Sequence, residues 1–404
     1  MAVTFALIKE RKSPPDRRVV FSPEKCREVL RQYPQAEIIV ESSELRVFSD
    51  EEYRNAGIEV LDDVSHADVM LGVKEVPVEF LIPNKQYFFF SHTIKKQPYN
   101  RKLLQTILKS NIELIDHETI VNENNRRMIG FGYYAGVVGA YNGIRMLGLR
   151  EKLFSLPKME TLTNLNEAKE ALDSIVFPNL KIVLTGNGKV AQGAKEIVDY
   201  LNIKQVEVED FLNRDFDSAV YCKIGVEHYN KRKDGKAFDK ADFYAKPTLY
   251  ESDFMRFSKA ANVFIAGHFY GDDAPFLITR EDMKHPDFKI RVVADVSCDI
   301  DGPVACTIRP STIADPFYGY CPHTEKEIAF DAEDAIAVMA VDNLPCELPR
   351  DASEGFGSMF LEHVFPAFFN KDQDELLHRA KITTSEGELT SKFSYLRDYV
   401  SQPV

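Results

Sequence analysis

Long apolar runs are missing from this 404-residue chain, and nothing approaches the length of a membrane-spanning helix. A basic excess is missing too. Fifty Lys and Arg stand against 63 Asp and Glu, a net charge of −13, which argues against a protein that holds nucleic acid or an anionic membrane by charge. Cysteines are few and scattered, at 26, 222, 298, 306, 321 and 346, with no CxxC pair. Reduced thiols are therefore read rather than disulfides or a zinc site, and no metal is expected. Residues 1–10 lack the basic stretch and apolar core of a secretion signal, so a cytoplasmic protein is expected. No repeat or low-complexity tract is visible. What remains is an ordinary globular composition, 44% hydrophobic and 28% charged, long enough for two or three domains.

The first 130 residues alternate strands and helices. Strands are read at Val3–Ile8, Ala36–Val40, Val69–Val73, Tyr87–Phe90 and Ile112–Ile115. Helices are read at Pro23–Gln32, capped by Ser22 with Pro23 in its first position, at Asp50–Ala56 capped by Ser49, and at Tyr99–Ser110. Such alternation predicts a doubly wound parallel sheet. Two of these strands lead into titratable residues. Leu71, Val73 and Val76 surround Lys74, and Phe88-Phe89-Phe90 runs into Ser91-His92. Ligands of open α/β sheets bind past the carboxyl ends of the strands, so a lysine and a histidine would share one crevice as an acid/base pair. Taken alone, these residues read more readily as a solvated strand end and a helix cap. The rest of the chain shifts that weight.

The small and aromatic stretch from Gly130 to Leu147 reads as a buried helix, either crossing between two domains or lying within one. A second strand, Leu180–Thr185, then meets Gly186-Asn187-Gly188-Lys189-Val190-Ala191. This G-x-G-x-x-A turn opens an amphipathic helix carrying Ala194, Ile197, Val198 and Leu201 on one face. Glycines permit the tight turn and the close approach of a diphosphate to the helix N-terminus. The next strand, Gln205–Val208, is expected to end at Glu209-Asp210, placing an acid where an adenosine ribose is bound. That acid slightly favours NAD over NADP because it repels a 2′-phosphate, although Lys189 stands nearby. Ala261–Gly267 and Arg291–Ser297 are read as later strands of the same sheet, ending at Gly267-His268 and Asp295. Glu325–Asp334 is read as an acidic surface loop, and Phe360–Phe369 as returning the chain to the first domain.

These motifs, in this order, resemble the lysine-ketoglutarate reductase and L-lysine-forming saccharopine dehydrogenase family of the alanine dehydrogenase superfamily. The resemblance covers roughly residues 3–370. Besides the Lys74, His92 and glycine-turn segments it rests on Arg17-Arg18-Val19-Val20-Phe21-Ser22-Pro23, Leu114-Ile115-Asp116-His117-Glu118 and Arg126-Arg127 before Gly130-Phe131-Gly132. It continues through Leu277–Asp282, Asp295-Val296-Ser297-Cys298-Asp299, Thr312–Phe317 and Val341–Pro349.

The resemblance implies two Rossmann-like domains with an interdomain cleft. Residues 1–135, completed by 345–404, would bind substrate, and residues 136–344 would bind NAD or NADP. It implies interconversion of saccharopine with L-lysine and 2-oxoglutarate through an imine and hydride transfer. Lys74 and His92 match the acid/base pair, and Glu75 and Glu118 match acids that tune it. Arg18 matches a carboxylate-binding arginine, with Lys95, Gln97 and Arg127 as secondary contacts. The cofactor would meet Gly186, Asn187, Gly188, Lys189, Val190, Glu209 and Asp210. Gly267, His268 and Asp295 would lie near its nicotinamide, with Asp342 beside nicotinamide or substrate. A homo-oligomer is included in this reading. So is a separate partner enzyme forming glutamate from saccharopine, because the chain ends soon after Asp342 with no second enzyme expected. Rival readings are an alanine dehydrogenase-like enzyme on another amine and 2-oxo acid pair, and a non-catalytic nucleotide-binding protein.

Overall fold

The computed structural model describes residues 2–14, 16–271 and 273–403. The chain divides into two compact units, residues 1–131 with 349–404, and residues 132–348.

The first unit holds six strands: β1 (Val3–Leu7), β2 (Ala36–Glu41), β3 (Glu59–Leu61), β4 (Val69–Leu71), β5 (Gln86–Phe89) and β6 (Glu113–Asp116). They pair in parallel in the order β3-β2-β1-β4-β5-β6, with β1 central and β4 beside it. This is the doubly wound arrangement, with its reversal at β1/β4, where ligand crevices form. Local sequence explains the connecting helices. Ser22 accepts a hydrogen bond from the Lys25 amide at the start of Pro23–Gln32, and Ser49 forms a capping box with Glu52 ahead of Asp50–Asn55. The returning segment packs aromatic rings under this sheet. Phe21 meets Phe360 edge-on at 5.5 Å and Phe5 meets Phe368 at 4.9 Å, where each buried Phe is worth about 1.5–3 kcal/mol.

The second unit carries β7 (Lys181–Thr185), β8 (Lys204–Gln205), β9 (Val220–Ile224), a separate hairpin of β10 (Asn230–Arg232) and β11 (Tyr250–Ser252), then β12 (Val263–Ala266), β13 (Val292–Asp295), β14 (Phe317–Cys321), β15 (Lys326–Ile328) and β16 (Ile336–Met339). Its main sheet runs β15-β14-β16-β13-β12-β7-β9-β8, parallel from β16 to β8, with β14 and β15 antiparallel at one edge. Among the described residues no helix is long and apolar enough to cross a membrane.

Three expectations are corrected and one alternative is decided. The strand expected at 205–208 stops at Gln205, and Val208–Asn213 is helical. Glu209 and Asp210 favour a helix start, and Asp210 pairs with Arg214 one turn on at 3.0 Å. The small-residue helix spans Gly132–Arg150 and lies within the second unit. It packs on the helix Lys189–Tyr200 so closely that a Cβ on Gly136 would sit 1.8 Å from the Val190 carbonyl, and one on Gly193 1.9 Å from that of Tyr133. That contact, which no side chain tolerates, fixes the helix to its own unit. The acidic stretch 325–334 is partly strand: β15 closes a hairpin whose turn residue Glu325 bridges Arg280 and Lys284. Finally, β4 ends at Leu71 rather than Val73, so Lys74 stands on a turn.

Candidate active site

In the first unit β4 and β5 are neighbours, and both lead into the turns that carry Lys74 and His92. Among the described residues the Lys74 ammonium, half-buried, makes no hydrogen bond or ion pair. Next to it, Glu75 receives the His92 ring Nδ1 at 2.7 Å on one oxygen and Lys12 Nζ at 2.7 Å on the other. Burial opposes ionisation of Glu75, but these two hydrogen bonds pull its carboxyl down to about 2. An ionised Glu75 can only accept, so His92 Nδ1 carries the proton, leaving Nε2 as the nitrogen able to exchange one. His92 itself sits in the left-handed region at φ +53°. Glu118, 8% exposed, pairs through Oε1 with Arg127 at 3.0 Å and Lys95 at 3.4 Å, while its Oε2 is buried without a partner. Lys74, Glu75, His92, Lys95, Glu118 and Arg127 thus gather on one side of the first unit. Gln97 does not join their hydrogen bonds; its side chain accepts from Tyr99 and its carbonyl from Tyr399.

Arg18 departs from the expectation of a cation awaiting a carboxylate. Its guanidinium grips Asp16 through Nε at 3.0 Å and Nη2 at 2.6 Å, with Arg18 3% and Asp16 2% exposed. It also stacks 4.1 Å over the Phe131 ring. Burial raises the Asp16 carboxyl, but Arg18 outweighs it and holds it at about 2, with Lys74 adding a smaller pull. Asp16, Lys12 and Glu10 were absent from the sequence reading. They follow β1 in a charged, proline-containing stretch with no periodicity, so nothing local marks them as inward-facing.

In the second unit the glycine turn forms as expected. Gly186 has φ +104°, and a Cβ there would lie 2.4 Å from the Gly267 carbonyl. Gly188, preceding the helix Lys189–Tyr200, has nothing within 4 Å of its Cβ position. A diphosphate fits this exposed opening at a 12-residue helix N-terminus, with Asn187, Gly188, Lys189 and Val190 around it. Among the described residues no cluster of His, Cys, Asp or Glu gathers to hold a metal.

Glu209 and Asp210 lie off this turn, beyond edge strand β8. On the side away from β12, the strand paired with β7 is β9, and the acid just past its end is Glu227. A Cβ on Gly225 would lie 2.5 Å from both the Asn187 amide nitrogen and a Glu227 oxygen, so that carboxylate flanks the turn. The usual spacing of about twenty residues from glycines to acid misses it, because the second strand of this unit is displaced to the edge. His268 lines a cavity of about 340 Å³ with the turn residues and Tyr244. Its Nδ1 meets Thr185 Oγ1 at 2.7 Å and its Nε2 is buried without a partner. Burial lowers the imidazole to about 4, keeping it neutral. Asp295 stands at the end of β13 but faces its own loop, accepting from Thr307 and Ser297 hydroxyls at 2.6 Å each. Asp342 is exposed beyond β16.

Comparison with known proteins now bears on this geometry. Residues 6–138 match the alanine dehydrogenase/PNT N-terminal domain. The alpha-aminoadipic semialdehyde synthase of Arabidopsis thaliana is 30% identical over 94% of this chain and 40% of its own length. The mitochondrial enzyme of that name from Mus musculus is 28% identical over 89% and 44%. The NAD(+), L-lysine-forming saccharopine dehydrogenase of Candida glabrata is 26% identical over 95% of this chain and all of its own. The chain is a homologue of these two groups. It spans less than half the length of the semialdehyde synthases. Its fold is that of L-alanine dehydrogenase, matched at a TM-score of 0.66 and 17% identity over 99% of both chains. A transhydrogenase from Sinorhizobium meliloti shares it at 0.56 and 15% over 96% of this chain.

Proposed function

We propose that the chain is an NAD(P)-dependent oxidoreductase interconverting saccharopine with L-lysine and 2-oxoglutarate. The observation that carries this reading is the unpartnered Lys74 ammonium beside the Lys12–Glu75–His92 chain of hydrogen bonds. The homologues' names supply the substrate.

The ε-ammonium of lysine, with a pKa near 10.4, must lose a proton before its nitrogen attacks the 2-oxo carbon. The carbinolamine then loses water to give an imine, and a hydride with one proton gives the secondary amine. His92 Nε2 and Lys74 Nζ are the groups assigned to these proton transfers, at the amine nitrogen and at the departing oxygen. Glu75 holds His92 in orientation through its Nδ1. The partnerless Glu118 oxygen suits an ammonium of the substrate, and Arg127 and Lys95 beside it suit carboxylates. Arg18 is assigned to substrate through its positive field, with Asp16 setting its direction.

The nicotinamide dinucleotide supplies or accepts the hydride. Gly186–Val190 hold its diphosphate, and the second unit, residues 132–348, is assigned to it. Substrate is assigned to residues 1–131 with 349–404. Glu227 takes the adenosine ribose hydroxyls in place of Glu209 and Asp210, which keeps NAD slightly favoured over NADP. Glu227→Gln is expected to weaken NADH roughly fivefold and to narrow its advantage over NADPH, both read by calorimetry.

Absorbance of the reduced nicotinamide tests the function: lysine and 2-oxoglutarate with NADH or NADPH forward, saccharopine with the oxidised cofactors in reverse. Lysine-dependent oxidation supports the reading. Oxidation that needs alanine or ammonia instead of lysine moves it to an alanine dehydrogenase-like reaction, and binding without any turnover to a nucleotide-binding protein.

A further inference from the structure

Two buried carboxyls outside the residues given a role above each hold the backbone of one member of the Lys74/His92 pair. Glu10, 9% exposed, accepts from the amide of Val73 on Oε1 at 2.6 Å and from that of Lys74 on Oε2 at 2.9 Å. Asp116, fully buried, accepts on Oδ2 from the amides of Ser91 at 2.8 Å and His92 at 3.1 Å, and from Ser91 Oγ at 2.6 Å. Its other oxygen takes the Glu118 amide at 2.7 Å. The two turns are tied further. The Gly72 carbonyl accepts from His117 Nε2 at 2.9 Å, and Phe90 donates to the Val73 carbonyl at 2.9 Å. His92 is held in a left-handed conformation that costs of order 1–3 kcal/mol and needs such support.

A carboxyl removed from water is costly unless its hydrogen bonds are satisfied. Burial pushes Glu10 up to about 8, with Asp16 adding to the rise and the Val73 and Lys74 amides opposing it. Burial likewise raises Asp116. Among the described residues neither carboxyl makes an ion pair; Asp116 closes β6 and Glu10 follows β1, and each side chain reaches across to a neighbouring turn. What both hold is the same kind of object: the main chain of a residue assigned to proton transfer, three residues past a strand end.

We infer that Glu10 and Asp116 are positioning residues, a matched pair of carboxyl clamps that set where Lys74 and His92 present their side chains. This rests on the proton-transfer roles proposed above. A displacement of about 1 Å at such a residue can cost on the order of a hundredfold in rate.

The test uses the full chain and two readouts. Glu10→Gln retains size but offers an amide N–H where one backbone N–H must be received. Asp116→Asn does the same at the second turn and is the harder variant to fold, so Glu10→Gln carries the test. Hydrogen exchange of peptides over 72–76 and 90–93 reads the clamps without reference to activity. Expected are faster exchange at 73–74 in Glu10→Gln, a fall in kcat of roughly ten- to a hundredfold with KM for lysine changed far less, a displaced pH profile, and unchanged NADH affinity. Faster exchange with unchanged kcat and pH profile overturns the positioning role, as does unchanged exchange. A wild type that turns over no amine and 2-oxo acid pair overturns the proposed reaction, and the role resting on it, while its exchange pattern still reports the clamp.

Discussion

The two units share a parallel sheet but spend their strand ends differently. Past β4 and β5 the first unit presents turns whose side chains titrate or pair: Lys74, Glu75, His92 and, after β6, Glu118. Past β7 and β12 the second unit presents glycines, Gly186, Gly188 and Gly267, of which Gly186 and Gly267 bring their backbones close together. One crevice is built from side-chain charge, the other from its removal. The difference teaches that a single architecture offers titratable side chains at one set of strand ends and bare backbone at another by what stands within four residues of a strand end.

Variants can break that division. The largest effect is expected for His92→Ala and Lys74→Met, which should cut turnover by about 10²–10⁴ while leaving NADH affinity intact. Steady-state rates beside calorimetry check this, and equal loss of both would make the two residues structural. Gly186→Ala should do the reverse. Its φ of +104° and the 2.4 Å approach to Gly267 leave no room for a methyl, so NADH should bind more than tenfold more weakly while saccharopine binding persists.

Arg18→Ala sharpens the comparison within the first unit. Removing the guanidinium takes from the buried Asp16 carboxylate the cation that grips it, so stability should fall by about 3–5 kcal/mol in addition to any rise in KM. Denaturant titration decides, and the double variant with Asp16→Asn should recover most of the stability but not the KM. The smallest effect concerns Glu347, buried in the second unit beneath Asn142, which donates to it at 2.9 Å. Burial raises its carboxyl from the ordinary 4.5 to about 8, so the folded state holds a proton that the unfolded state has released. Stability from this group is full below about 4.5 and is lost as pH rises through 8. Glu347→Gln should therefore gain Tm relative to the wild type between pH 6 and 9, and parallel Tm curves would contradict that sign.

Much of this was legible from residues alone. Pro23 behind Ser22, the Ser49–Glu52 capping box and the G-x-G-x-x-A turn are local signals, and each formed where its spacing placed it. So did the strands leading to Lys74 and His92, because apolar runs between charged turns have one burial solution in a parallel sheet. Three things were not legible, each because no local pattern marks it. Strand β8 is a two-residue stub displaced to the edge, which leaves Glu227, past β9, as the acid beside the glycine turn. Arg18 turns to Asp16 two residues away, a pairing no periodicity predicts. Glu10 and Asp116 act on turns 63 and 24 or 25 residues distant, through main-chain amides that carry no sequence identity.

The most direct measurement follows the hydride. The chain is incubated with lysine, 2-oxoglutarate and a reduced nicotinamide cofactor bearing deuterium at the transferred position, and the products are read by mass spectrometry. The account predicts saccharopine carrying one deuterium on the carbon derived from the 2-oxo group, and none with His92→Ala over the same time. Deuterium in glutamate or another primary amino acid, with no labelled secondary amine, would contradict it.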